Sequence, residues 1–399
     1  MPLNVVETLC DLVALPSVNP MGRAVSGPEY YEYRVTEYLE KLFQKLDLPY
    51  ECQQLEPKRT NIFARLDGAR DPQSGGGLIV FEAHQDTVPV EGMTIPPWDP
   101  QVREGRVYGR GSCDIKGGMA CMLTAVSRLT EQRPKQMPTI IMACSVNEEH
   151  GFSGAKDMAQ LWTSGMSRLV PRRPDAVIVA EPTDLNVVVA HKGVMRWCIS
   201  TRGRAAHSSR PDLGVNAVYA MAKVLNLLEE YARETVPGLG EHPLVGRPSF
   251  SVGVIAGGIS VNTVPDRCTI QVDRRILPGE NGAQAREHVI EFVRKRLPES
   301  IEVEFEPPFL ASPGLSDNKN SALARSLSQV VREHGSSGDC VGVSYGTDAP
   351  AYDRIESPTV VFGPGSITQA HTCDEWIAID ELHRATEILT TFGARGMLA

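Results

Sequence analysis

Three apolar runs constrain this chain more than any other feature: GLIVFEAH (77–84), TIIMACSVNEE (139–149) and DAVIVAE (175–181). Each is continuous rather than alternating, rich in Val or Ile, and short. That is the pattern of a strand covered on both faces, as in mostly parallel sheets sandwiched between helices. Between the first two runs, Met119, Met122, Val126 and Leu129 recur at spacings of three and four, which predicts an amphipathic helix starting just after Asp114. The run PTVVFGPG (358–365) reads as a further strand of the same sheet. The expected fold class is therefore α/β, a mostly parallel central sheet flanked by helices.

From about Val189 to Glu306 the rhythm changes to β-α-β-β-α-β. Its pieces are HKGVMRWCIS, a helix through Val215, Val218, Ala222, Leu225 and Leu228, then FSVGVIA, RCTIQVDRRIL, a helix from His288 to Leu297, and IEVEFE. In the last piece Ile301, Val303 and Phe305 alternate with Glu302, Glu304 and Glu306, as in a sheet with one wet face. This order is the ferredoxin-like split unit. Sheet-like elements resume after it, so it reads as an insertion: residues 1–188 and 309–399 form one domain and 189–308 the other. A length of 399 residues agrees with two cores.

Open α/β sheets assemble their sites beyond the carboxyl ends of their strands. The apolar runs stop there at His84, at Glu148 and Glu149, and at Glu181. His84 and Asp86 form an HxD pair whose alternate positions share one face; in isolation such a pair is more often a surface turn. Asp114, in GRGSCDIKGG, stands at the mouth of a helix, where a carboxylate can bridge two cations or simply cap the helix. Glu148 and Glu149 are adjacent acids after a buried strand, so something positive should compensate them. One can bind metal while the other faces the substrate as a proton shuttle. Pro182 keeps Glu181 at the sheet edge, and His371 follows the last apolar run by one loop. Two His and three carboxylates make an N/O donor set suited to zinc or a neighbouring divalent ion.

Composition narrows the partners. A net charge of −9 without a dense run of Lys or Arg argues against nucleic acid and anionic membranes and favours a small-molecule substrate. No stretch approaches the ~20 apolar residues of a bilayer span. Nine scattered cysteines without a CxxC pair fit the reduced thiols of a cytoplasmic protein. MPLNVVETLCDLVALPS, lacking a basic start, reads as a first helix rather than a signal peptide.

With these residues in place, the chain resembles the metal-dependent amidohydrolases that include acetylornithine deacetylase, succinyl-diaminopimelate desuccinylase, aminoacylase and carboxypeptidase G. The resemblance spans nearly the whole chain, through AHQDTVP, GRGSCDIKGGMA, NEEHGFSGA, AEPTD, GRAAHSSRPDLGVNA, GGISVNTVPD, DRRILPGE, GTDA and AHTCDEW in order. It implies two divalent metal ions, zinc with cobalt or manganese as alternatives. His84 and Glu181 would hold one and Glu149 and His371 the other, with Asp114 between them. It further implies that Asp86 orients His84 and that Glu148 is the general acid/base. His207 would reach the neighbouring subunit's site, making the inserted domain a lid and a homodimer surface. Arg275, Asn262 and Thr347 would contact the substrate carboxylate or reacting carbonyl. Glu at position 181 is similar to deacylases and carboxypeptidases, whereas dipeptidase and aminopeptidase members tend to carry Asp. The expected activity is cleavage of an N-acyl amino acid amide; a carboxypeptidase or peptidase, or a non-catalytic binding homologue, stays open.

Overall fold

The computed structural model describes residues 2–397. They fall into two compact units, one formed by residues 2–189, 316–342 and 347–397, the other by Ala190–Leu315 with Val343–Gly346. The second unit runs to Leu315, past the sequence boundary at 308, because the strand Leu310–Ser312 pairs antiparallel with Gly193–Arg202.

The first unit is built on an eight-stranded sheet. Its centre is four parallel neighbours in the order Thr139–Ser145, Leu78–His84, Ala176–Val179, Thr359–Val361. Every residue of the first three is buried, which is why their sequences show no alternation. One face, carrying Ile79, Phe81, Ala83, Ile140 and Met142, joins a core with the helices Lys116–Gln132 and Ile379–Arg395. Close approach there demands glycine: a Cβ on Gly117 would lie 2.5 Å from the Ser112 carbonyl oxygen. The register sets Phe63 beside Ala143 and Ala143 beside Glu82 on the opposite face. There Trp162 meets Phe63 edge-on and stacks on Tyr352. Val5–Val13 is the expected first helix, with Asn4 capping it through its side chain.

The second unit has the expected strand and helix order on an antiparallel sheet, Ser249–Gly257, Arg267–Ile276, Gly193–Arg202, Val303–Phe305. Trp197, Ile199, Ile270 and Val272 pack against the helices Ala217–Glu230 and Gly282–Arg294. The first of these helices packs the expected Val218, Leu225 and Leu228 against the core but buries smaller residues beside them. Its buried residues are Ala217, Ala220, Met221, Val224 and Leu228, whereas Val215 precedes the helix and Ala222 faces out. Small alanines fit against the sheet there, and periodicity that weights only bulky residues misses them. No helix is long and apolar enough to cross a membrane among the described residues.

His191 is fully buried, its Nδ1 2.9 Å from the Lys192 carbonyl oxygen, and burial pushes its pKa down to about 4. A depressed imidazole contributes stability above pH 6.5 that is lost as pH falls toward 4. The cost of His191→Leu in urea unfolding should therefore shrink by about 2–3 kcal/mol between pH 7.5 and pH 4.5.

Candidate metal centre

The four central strands run parallel, so their carboxyl ends open onto one edge. His84 ends its strand, Glu148 and Glu149 follow Ser145, Glu181 follows Val179, and the loop after Val361 delivers His371. Asp114 arrives from the turn before the helix Lys116–Gln132. That turn is organised by Glu375, whose buried carboxylate accepts the N–H groups of Gly111 (2.9 Å), Cys113 (2.9 Å) and Asp114 (3.0 Å) and the Arg110 guanidinium (2.7 Å). Gly111, at φ +82°, supplies the left-handed bend. Asp114 is not a helix cap. The capping position is Ile115, without a side-chain capping bond, and the Asp114 carboxylate points at two imidazoles.

Its Oδ1 lies 3.3 Å from His84 Nε2 and its Oδ2 3.3 Å from His371 Nε2, which is also 3.4 Å from Glu149 Oε2. Two donor groups result, His84–Asp114–Glu181 and Asp114–Glu149–His371, with the ligand atoms of each within 4.8 Å of one another. Bonds of about 2.0–2.1 Å in a tetrahedron separate ligand atoms by roughly 3.3 Å, so the spacing fits zinc-like cations. Two further observations agree. Among the described residues, His84 Nε2 and Glu149 Oε1 are buried without a hydrogen-bond partner, and His84 Nδ1 is occupied by the Asp86 carbonyl oxygen at 3.0 Å, so a cation would meet Nε2.

The electrostatics call for positive charge. Burial, with repulsion from neighbouring carboxylates, holds Glu148 and Glu181 well above the usual acid range, and burial and Asp114 push Glu149 up to about 7. Burial opposes ionisation of Asp114 as well, yet the two flanking imidazoles hold it below its ordinary value. Contacts with Asp114 and Glu149 raise His371 to about 10. Divalent cations would replace these shared protons and leave the acids ionised.

The remaining residues divide between the units. The Asp86 carboxylate stands 3.5 Å from His84 Nδ1, but its hydrogen bonds come from the backbone N–H groups of Glu148 and Glu149 and from Asn19 Nδ2. Thr347 is buried, its hydroxyl accepting from the Ala349 N–H. In the second unit, His207 is exposed, with Nδ1 2.7 Å from the Ser209 hydroxyl. It pairs in register with Thr263, beside Asn262, whose carbonyl accepts the Ser208 N–H. Arg275 gives its Nε to Asp273 Oδ1 at 2.8 Å, an ion pair within its own strand.

Sequence reasoning missed Glu375, Asn19, Glu82 and Asp348. Glu82 was the most detectable, being an acid inside LIVFEAH. It is fully buried and neither carboxylate oxygen has a hydrogen-bond partner, while nearby Asp348 accepts from the Ser145 hydroxyl at 2.8 Å.

Fold and site together define a metal-dependent amidohydrolase. Residues 80–395 match the model of peptidase family M20/M25/M40, and the chain belongs to that family. It is 31% identical to acetylornithine deacetylase of Myxococcus xanthus over 338 residues, 83% of either chain. Among solved structures, it superposes on an M20 family metallo-carboxypeptidase from Sulfolobus solfataricus with a TM-score of 0.75, covering 98% of this chain and 99% of that one at 17% identity. It also superposes on a dinuclear metal binding peptidase of the M20 family from Bacillus subtilis, with a TM-score of 0.66 over 98% and 96% of the two chains at 15% identity.

Removing Glu375 would strand Arg110 without its counter-charge. Glu375→Ala should cost about 3–5 kcal/mol in urea unfolding, well beyond an exposed acid such as Glu387.

Proposed function

We propose that this protein hydrolyses the amide bond of an N-acyl amino acid with a free carboxylate, in the manner of acetylornithine deacetylase or succinyl-diaminopimelate desuccinylase. Two zinc ions serve it, cobalt or manganese being able to substitute. The observation that carries the reading is the pair of donor groups sharing Asp114, with the buried acid Glu148 beside them. His84, Asp114 and Glu181 would hold one ion and Asp114, Glu149 and His371 the other. When bound, such ions acidify water and polarise a carbonyl oxygen.

The chain's own groups do the rest. Glu148 takes the proton from the attacking water and passes it to the amine nitrogen as the C–N bond breaks, releasing a carboxylic acid and an amine. His207, which we assign to the neighbouring subunit's site, donates to the developing oxyanion. Arg275 pairs with the substrate carboxylate bidentately, and Asn262 and Thr347 are further contacts to substrate. Asp86 holds the loop that carries Glu148 and, through its carbonyl, the ring of His84.

Homodimer formation is part of this reading. The strand Ser249–Gly257 is a sheet edge with Val254 and Ile255 exposed, and Ile259 and Val261 beyond it are 92% and 100% exposed. An apolar edge of that kind favours strand addition by a second copy. The nine free cysteines agree with a reducing, cytoplasmic setting.

The test is cleavage of N-acetyl, N-succinyl and N-formyl amino acids and of dipeptides by zinc-reconstituted enzyme. Turnover confined to one acyl class is expected. Cleavage of dipeptides alone would make it a peptidase, and inactivity on everything at full metal occupancy would make it a binding protein. Glu148→Ala should lower kcat by at least about 100-fold with zinc content unchanged; loss of both ions would refute its role. Zinc added to chelator-stripped protein should raise Tm up to two equivalents, because the ions bind only the folded site.

A further inference from the structure

The loop bearing Glu148 and Glu149 is held from behind by a buried polar network. Three consecutive N–H groups are captured by two carboxylates: Asn147 N–H by Glu32 Oε1 (3.1 Å), Glu148 N–H by Asp86 Oδ1 (3.1 Å) and Glu149 N–H by Asp86 Oδ2 (3.1 Å). Asn147 itself is left-handed, at φ +60°. Its side-chain oxygen accepts from Asn19 Nδ2 (3.0 Å), and the same nitrogen donates to Asp86 Oδ2 (2.7 Å). Arg59 closes the network, with Nη1 3.5 Å from Glu32 Oε1 and Nη2 3.4 Å from Asn19 Oδ1. Asn19, Glu32, Arg59 and Asp86 are all buried.

Adjacent residues at a strand end point apart, so the direction of the backbone at Asn147 decides where both acids aim. Asp86 holds the second and third N–H groups. The residue before Asn147 is tied by the Val146 N–H to Asn61 Oδ1 (3.0 Å), and the Asn147 N–H itself is left to Glu32. Glu32 supplies a hold on the Asn147 N–H from the start of another helix, Tyr33–Lys45, with Arg59 Nη1 standing 3.5 Å from the same oxygen.

We propose that Glu32 is a positioning residue for amide hydrolysis. By accepting the Asn147 N–H it sets the aim of Glu148 and the affinity of the metal position built from Glu149 and His371, leaving the His84–Glu181 position alone. This rests on the metal assignment above, but not on the substrate proposed there.

Two variants of the full-length enzyme separate the position of the acceptor from its chemical group. Glu32→Asp keeps the carboxyl group but withdraws the acceptor by one methylene; Glu32→Gln keeps a carbonyl oxygen in place and replaces the carboxyl group by an amide. Zinc affinities come from chelator competition, and kcat and KM from whichever amide the enzyme turns over. Glu32→Asp should weaken one of the two zinc equivalents about 10–100-fold and lower kcat at saturating zinc with KM unchanged, while Glu32→Gln stays close to the parent in both. The proposal is overturned if Glu32→Asp behaves like the parent, if Glu32→Gln is as damaging, or if both zinc equivalents weaken together, since that would mean a general loosening of the fold. The zinc titration needs no substrate, so failure of the N-acyl amino acid reading would leave this result interpretable.

Discussion

Negative charge is concentrated at one end of a buried sheet, and much of the molecule is arranged around tolerating it. Asp86, Asp114, Glu148, Glu181 and Glu375 are all buried, as is the side chain of Glu149. Ionised carboxylates in such surroundings are costly unless paired and hydrogen-bonded. The protein compensates them in two ways. Glu375 and Asp86 are satisfied internally, by backbone N–H groups together with Arg110 in one case and Asn19 in the other. Asp114 and Glu149 face two imidazoles, and Glu181 faces Asp114 and His84, so cations would balance their charge. Metal binding and the integrity of this end of the fold are therefore one problem.

The internally satisfied acids serve the others. Glu375 spends its oxygens on the turn that aims Asp114, and Asp86 spends its own on the loop that aims Glu148 and Glu149. A ligand on a loop is only as well placed as the backbone beneath it, and here that backbone is fixed by charged acceptors, which make stronger hydrogen bonds than neutral ones. The parallel sheet contributes rigidity. Residues 78–84 and 139–145 pair along their whole length, ending His84 beside Ser145, so neither strand end can shift without breaking the ladder. The second unit is different in kind, a one-faced antiparallel sheet whose free edge leaves apolar side chains in water.

Much of this was legible in the chain. Continuous runs such as LIVF and TIIMA read as strands covered on both faces, and the resulting order pointed to a parallel sheet with its site at the carboxyl ends. The donor residues stood out because a His or an acid at the end of an apolar run is costly to bury without a purpose. The partners of those residues did not stand out. Glu375 sits among the polar residues of AHTCDEW and Glu32 among those of YYEYRVTEYLE, where neither differs locally from a solvated acid. The helix face in Ala217–Glu230 was legible in part: Val218, Leu225 and Leu228 do pack on the core, but the burial of Ala217 and Ala220 depends on how closely the helix lies on the sheet.

The sequence by itself determined the class of fold, the insertion of a second α/β module, and the identity of the residues that can hold metal, because periodicity and residue chemistry are local properties. Tertiary structure alone decided which oxygen of Asp114 faces which imidazole, that His84 presents Nε2, and that Glu32, Arg59, Asn19 and Asp86 meet behind the Asn147–Glu149 loop. Those facts depend on distances between segments far apart in the chain, such as the 2.9 Å from Gly111 N to Glu375. Such distances are set when the sheet and helices pack, and no local pattern of residues encodes them.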